Sequence, residues 1–161
     1  MRGRKNRRIR VREIGTTIVA GGLLGLAWTQ FGGEPDRAAA AAPLQQRNFG
    51  TCAGRTRINC VVDGDTFWMD GEKIRIADID TPETHPSRCA SEADLGGRAT
   101  VRLRILLNDG PFALESIARD SDRYGRKLRR VTRNGVSIGD MLVAEGLARP
   151  YGRGRQPWCG V

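Results

Sequence analysis

"INCVVDGDTFWMDGEKIRIADIDTPE", residues 58–83, decides the fold. Three apolar, β-rich runs stand in it: Ile58–Val62, Thr66–Met69 and Lys73–Ile79. Asp70-Gly71 separates the last two, and both residues tolerate the positive φ that a two-residue hairpin turn requires. The stretch reads as a three-stranded meander. It also holds a conflict. Ile74, Ile76 and Ile79 want burial, yet Arg75, Asp78, Asp80 and Glu83 sit among and after them. Charge beside a core strand needs a partner, solvent or an ion.

Downstream the pattern changes period. Leu95, Ala99, Leu103, Leu106 and Leu107 form one helical stripe, with Arg98, Arg102 and Arg104 off it. Ser91 with Asp94 three residues on resembles a capping box, and Asn108-Asp109-Gly110-Pro111 stops the helix. Phe112–Ile117 and Leu128–Thr132 read as two further strands joined by "RDSDRYGRK". Ser137 with Asp140 repeats the capping pattern, and a short helix runs to Gly146. The order β-β-β-α-β-β-α predicts an α+β, mainly β domain: the five-stranded Greek-key barrel of the OB-fold. The tail "GRGRQPWCGV" carries no helix signal, and Trp158 beside Cys159 is expected to pack it down.

Upstream, residues 1–42 read as targeting rather than fold. Seven basic residues precede the first acid, Glu13, and Ile14 to Gly33 then runs without a charge. This is a basic, then apolar, leader, with Ala38-Ala39-Ala40 as a candidate cleavage site. The apolar run is also close to the length that spans a bilayer, so a retained anchor through residues 14–33 is the rival to a cleaved signal. Either way the positive-inside bias places the remainder outside the cytoplasm, periplasmic or secreted. Residues 43–55 read as a linker and 56–161 as the domain, expected as a monomer.

The net charge of +9 is concentrated in that leader. From Pro43 onward, 19 Lys and Arg face 15 Asp and Glu, leaving +4. That excess fits a nucleic-acid or other acidic partner and equally a solvated arginine-rich surface. Cys52, Cys60, Cys89 and Cys159 all follow the leader, and an even count in an exported chain favours disulfides. With one histidine and no C-x-x-C pair, a structural zinc site is disfavoured. Of three connectivities, Cys52–Cys60 with Cys89–Cys159 is the expectation. The second bridge would tie the tail to the body, stabilising by roughly 4 kcal/mol in the chain-entropy model.

The carboxylates point to hard-ion chemistry. Asp63 and Asp65 are two apart, so a regular strand would place both on one face. Asp78, Asp80 and Glu83 add three more, and oxygen-only donors select Ca²⁺ or Mg²⁺ over zinc. Arg75 and Asp80 would lie on opposite faces of a regular strand. For both to share a site the strand must bend or end near Asp78–Asp80, which Pro82 favours. Arg126 follows the "DRYG" turn, and two guanidiniums beside a carboxylate–metal cluster suit a phosphodiester. Asp65, Asp80 and Glu83 against one divalent cation, Arg75 and Arg126 leave one positive charge, which a phosphodiester cancels. Taken singly, each piece has a plainer explanation. "DGD" is commonly a turn or bulge, Arg75 a surface salt-bridge partner, "DRYGR" a hairpin turn, His85 a loop residue and Tyr151 a cover for the core.

Taken together and in order, "VVDGDTF", "IRIADIDTPET", "DRYGR" and "LVAEGLARPY" resemble the staphylococcal nuclease (thermonuclease) family, over Ile58 to Tyr151. The resemblance implies an OB barrel and a Ca²⁺-dependent phosphodiesterase acting on DNA and RNA. It makes Asp65 and Asp80 carboxylate ligands to calcium, with the main-chain carbonyl of Thr81 as a third and Asp63 as an acid behind them. Glu83 corresponds to the general base, and Arg75 and Arg126 to the phosphate-binding arginines. Cleavage of the P–O5′ bond to leave 3′-phosphate ends is implied. Arg123 and Tyr151 fall in substrate-contacting regions. A non-catalytic OB module binding nucleic acid or another phosphate ligand is the alternative; turnover separates the two. A secreted structural or adhesion domain would explain the leader and the cysteines but not the carboxylates.

Overall fold

The structure is a computed structural model that describes residues 41–154 and 157–159. Of the leader expected over residues 1–42, residues 1–40, with the anchor candidate at residues 14–33, lie outside the described residues. Among them, no helix is long and apolar enough to cross a membrane.

The elements run β1 (Leu44–Gln45), β2 (Gly50–Thr51), β3 (Cys60–Asp63), β4 (Thr66–Met69), β5 (Glu72–Ile76), β6 (Ile79–Asp80), α1 (Ala90–Asn108), β7 (Phe112–Ser121), β8 (Lys127–Arg133), β9 (Val136–Ser137), α2 (Ile138–Ala144) and β10 (Arg149–Pro150). The predicted meander is β3-β4-β5. Asp70 and Gly71 take φ of 51° and 83° at its hairpin turn, the left-handed conformation that Asp-Gly tolerates. Among the described residues the main sheet is ordered β1-β7-β8-β5-β4-β3-β2, with β9 paired to β8. Pairs β2/β3 and β5/β8 are parallel, and the other pairs are antiparallel. This is an OB-like α+β arrangement. It is not the closed five-stranded barrel of the sequence expectation: within the described residues no ladder joins β1 to β2.

Alternation fixes the inner face. Ile74 and Ile76 of β5 are fully buried while Arg75 between them faces the other way. Phe49, Phe67 and Phe112 meet with ring centroids 5.7–6.5 Å apart, and Leu103 and Leu107 of α1 complete the cluster. Each such side chain contributes about 1.5–3 kcal/mol by leaving water.

Three expectations need correction. Residues 43–55 are not a free linker: Leu44 and Gln45 pair with β7, Gly50 and Thr51 pair with β3, and Phe49 enters the core. The side chain of Asn108 holds the backbone of Phe49 in both directions, at 2.8 and 2.9 Å. Helix α1 begins earlier than the Ser91–Asp94 signal indicated. Its N-cap is Cys89, whose side chain caps nothing because it is bound to Cys159. The N-cap at Ser137 does form, with the hydroxyl accepting from the Asp140 N–H at 3.3 Å. Third, β5 ends at Ile76 rather than Ile79. Ala77 and Asp78 break the strand, and β6 pairs away from the main sheet, with β10.

Both disulfides have the expected partners, Cys52–Cys60 and Cys89–Cys159. The first fastens β2 to β3. The second fastens the tail to the start of α1.

Candidate active site

The break after β5 resolves the face problem. With Ala77 and Asp78 out of the ladder, Asp80 comes round to the face of Arg75, and the Arg75 Nη2–Asp80 Oδ1 distance is 3.5 Å. Tertiary packing holds the break. The Ala77 N–H donates to the Arg129 carbonyl at 2.9 Å, and the Tyr151 N–H to the Asp78 carbonyl at 2.8 Å. Asp78 itself leaves the site. Its Oδ2 accepts from Ser137 Oγ at 2.7 Å, so it serves the entry of α2. Gly139 lets that entry come close, since a Cβ there would lie 2.8 Å from Ile79 Cγ2.

Asp63 and Asp65 converge by a different route from the one expected. They do not share a strand face: β3 ends at Asp63, and Gly64-Asp65 forms the turn into β4. The Asp65 N–H lies 3.4 Å from Asp63 Oδ1. Gly64 is required by close approach, because a Cβ would stand 2.6 Å from that of Ala99 and 3.0 Å from that of Thr81. Thr81 is thereby packed beside the acid turn, buried, immediately after Asp80.

Asp65 is buried and doubly engaged. Arg75 Nη1 donates to its Oδ2, and Thr66 Oγ1 donates to its Oδ1 at 2.8 Å. The second arginine arrives through the same threonine, with Arg126 Nη1 3.5 Å from Thr66 Oγ1. Arg126 is aimed by Asp122, which sequence reading passed over. The contiguous contacts are thus Asp80, Arg75, Asp65, Thr66 and Arg126, drawn from β6, β5, the β3–β4 turn, β4 and the β7–β8 turn.

Glu83 lies in the exposed segment between β6 and α1, within electrostatic reach of this group. Partial desolvation by the surrounding chain raises its pKa although the side chain reaches solvent, Asp65 and Asp80 add to the rise, and Arg75 and Arg126 oppose it. Burial pushes the Asp65 carboxyl up to about 7, against the pull of Arg75 and with the push of Asp63. The Asp63 carboxyl is likewise raised, first by burial. These acids have less positive charge around them than their burial demands. Each carboxylate oxygen has lone pairs beyond those already used. An oxygen-only donor set short of positive charge fits a hard divalent cation. Asp65 and Asp80 bring such oxygens to the two sides of the Arg75 guanidinium.

Two exposed tyrosines edge the site. Tyr151 lies beneath Arg75, with the guanidinium 5.9 Å from the ring centroid. Tyr124, which the sequence reading left as a turn residue, stacks with Arg123 at 4.7 Å and Arg126 at 5.5 Å. Arg123 thus sits at the outer edge rather than among the carboxylates. His85 is an exposed loop residue.

The chain is also similar in sequence to known proteins. Over 94 residues the chain is 39% identical to Endonuclease YncB of Bacillus subtilis (strain 168), covering 55% of the chain and 44% of that protein. It is equally 39% identical over 94 residues to the SPbeta prophage-derived endonuclease YokF of the same organism, covering 31% of that protein. The chain therefore spans less than half the length of these relatives. The Staphylococcal nuclease homologue family matches residues 73–157, just over half of the chain. That stretch begins in β5 and takes in Arg75, Asp80, Glu83 and Arg126, while the Asp63–Asp65 turn precedes it. On this match, and with the acids and arginines assembled as described, the chain belongs to the staphylococcal nuclease family.

Proposed function

We propose that this domain is an exported, calcium-dependent nuclease that hydrolyses phosphodiester bonds of DNA and RNA with little sequence preference. One observation carries the reading: Asp80, Asp65 and Arg126 are drawn into one run of contacts by Arg75 and Thr66, and Glu83 follows Asp80 by three residues. The endonuclease names of the two relatives support it.

The division of labour follows from the chemistry of each group. Arg75 and Arg126 present planar forks to the non-bridging phosphate oxygens, where negative charge grows as water adds. Asp65, Asp80 and the Thr81 carbonyl would hold a calcium ion, which when bound would supply Lewis-acid polarisation of a phosphoryl oxygen. Glu83 takes the proton of the attacking water, and its raised basicity favours that transfer. The water oxygen bonds to phosphorus, the P–O5′ bond breaks, and the departing 5′ oxygen takes a proton from solvent. The products are a 3′-phosphate and a 5′-hydroxyl. None of these groups reads a base edge, so sequence preference is weak. The exposed rings of Tyr124 and Tyr151 suit unpaired bases, so single strands and frayed duplexes are the better substrates.

Export is supported by the basic run, the uncharged stretch Ile14 to Gly33 and two disulfides, which persist in oxidising compartments. A tether to the membrane through residues 14–33 is the variant of this reading in which the leader is retained. The domain acts as a monomer.

The test is hydrolysis of denatured DNA by the oxidised protein in calcium or in a chelator. Rapid cleavage in calcium and loss in chelator is expected. Equal cleavage in both removes the metal. Binding without cleavage in either leaves a non-catalytic module.

A further inference from the structure

Glu92 is a fully buried carboxylate in the first turn of α1, a position where an acidic side chain ordinarily points into water. The segment from Thr81 to Cys89, which has no regular structure and carries Glu83, folds onto it through Arg88. Glu92 Oε2 accepts the Arg88 N–H at 2.6 Å, and Oε1 accepts Arg88 Nη2 at 2.7 Å. The Arg88 side chain and backbone, and the backbone of Glu83, all favour its ionised form. One carboxylate thus binds residue 88 through both its oxygens, and the Glu83 backbone at the other side of the loop also favours its charge.

The same loop is fastened at three more places. β6, which leads into it, pairs with β10 through Asp80 and Arg149. Gly96 of α1 receives its floor: a Cβ there would lie 2.7 Å from the Pro82 carbonyl oxygen and 3.2 Å from that of Glu83. The Cys89–Cys159 disulfide closes its end, with Cys159 Sγ 3.9 Å from Glu92 Oε2. Cys89, Glu92 and Cys159 bring potential ligand atoms together, but the sulfurs are spent on each other, so the cluster is a fastening rather than a metal site.

We propose that Glu92 is a positioning residue: seated between Arg88 and the tail disulfide, it holds the backbone of the Glu83 loop so that the Glu83 carboxylate meets the attacking water. The inference rests on the nuclease reading with Glu83 as base. An exposed loop without such an anchor samples many geometries, and a displacement of about 1 Å at a catalytic group costs on the order of a hundredfold in rate. Asp65, Asp80, Arg75 and Arg126 lie outside the loop, and Thr81 stands at its start beside Asp80, at the opposite end from Arg88, so calcium and phosphate binding depend little on Glu92.

The experiment is a mutant cycle in the full oxidised chain, using denatured DNA in saturating calcium at a temperature well below every variant's Tm. Glu92→Ala is expected to lower kcat about tenfold or more, with KM and half-saturating calcium within about twofold of wild type. Glu92→Gln, of the same shape, keeps an acceptor for the loop N–H groups and is expected to recover part of that loss. In a Glu83→Gln background the Glu92→Ala change is expected to alter kcat by less than about twofold, because no base remains to be aimed. Full additivity in that background, or an unchanged kcat in Glu92→Ala, overturns the inference while leaving the nuclease reading intact. If Glu92→Ala does not fold, the cycle is run with Glu92→Gln and judged by the same coupling. A wild-type chain that does not cleave, or a Glu83→Gln chain that cleaves normally, overturns the underlying reading and the inference with it.

Discussion

Asp122 holds Arg126 twice: the Arg126 N–H donates to Oδ1 at 3.0 Å, and Nε donates to Oδ2 at 2.7 Å. The Asp122 side chain is nearly buried at the base of the β7–β8 turn, so the pair is shielded from competing water. Its effect is to leave the far edge of the guanidinium directed at Thr66 and the acid turn.

Removing the holder should therefore mimic partial loss of Arg126. Asp122→Ala is expected to lower kcat about tenfold to a hundredfold, with calcium affinity little changed. Steady-state kinetics and a calcium titration check this. A variant with normal kcat would separate Asp122 from the site.

Arg75 contacts three oxygens from two parts of the chain: Asp65 Oδ2 in the acid turn, and Asp80 Oδ1 and the Ile79 carbonyl in β6. A lysine is a point charge and cannot span them. Arg75→Lys is expected to cost about a hundredfold in kcat/KM and to lower Tm, because Asp65 then keeps only part of its pairing in a buried place. Kinetics and thermal melts on one preparation read both effects.

The buried acid gives a pH signature without calcium. Burial pushes the Asp65 carboxyl up to about 7, so the folded state favours its protonated form. The stability this contributes is fully present below the carboxyl's unfolded value and is lost as pH rises through about 7. In chelator, the wild-type Tm is expected to fall by about 5 °C more than that of Asp65→Asn between pH 4 and pH 8. Calcium should reduce the fall in wild type and do little for the variant. Parallel melting curves for the two proteins would contradict the assignment.

The tail bridge closes a span of 70 residues, from Cys89 to Cys159. Replacing both cysteines by serine is expected to destabilise the domain by roughly 4 kcal/mol, measured by urea titration. A loss below about 1 kcal/mol would mean that the tail adds little to the folded state.

Much of this architecture was legible from residues whose preferences are local. The Asp70-Gly71 turn needs only its own φ angles, and the stripe of α1 needs only a period. The acids and arginines were legible as chemical types in a recurring order. The break at Ala77–Asp78 was legible only in part, as a face conflict between Arg75 and Asp80. What holds it, the carbonyl of Arg129 and the N–H of Tyr151, comes from far along the chain. The segment around Phe49 passed as a linker because its mixed polarity hides one aromatic that reaches the core and an amide partner, Asn108, 59 residues away. Asp122 had a signal, the four-residue spacing to Arg126 inside a turn, but a carboxylate in a turn is ordinary. Glu92 had none, since an acid in a first helical turn is expected on electrostatic grounds alone.

The most direct measurement is kcat for Glu83→Gln beside wild type on denatured DNA in saturating calcium, with binding measured separately in the same buffer. Glutamine preserves shape and cannot take the proton. The expected result is a fall of about a hundredfold to ten-thousandfold in kcat, with binding changed only a few-fold. A kcat within about twofold of wild type would contradict the central claim that Glu83 activates the attacking water.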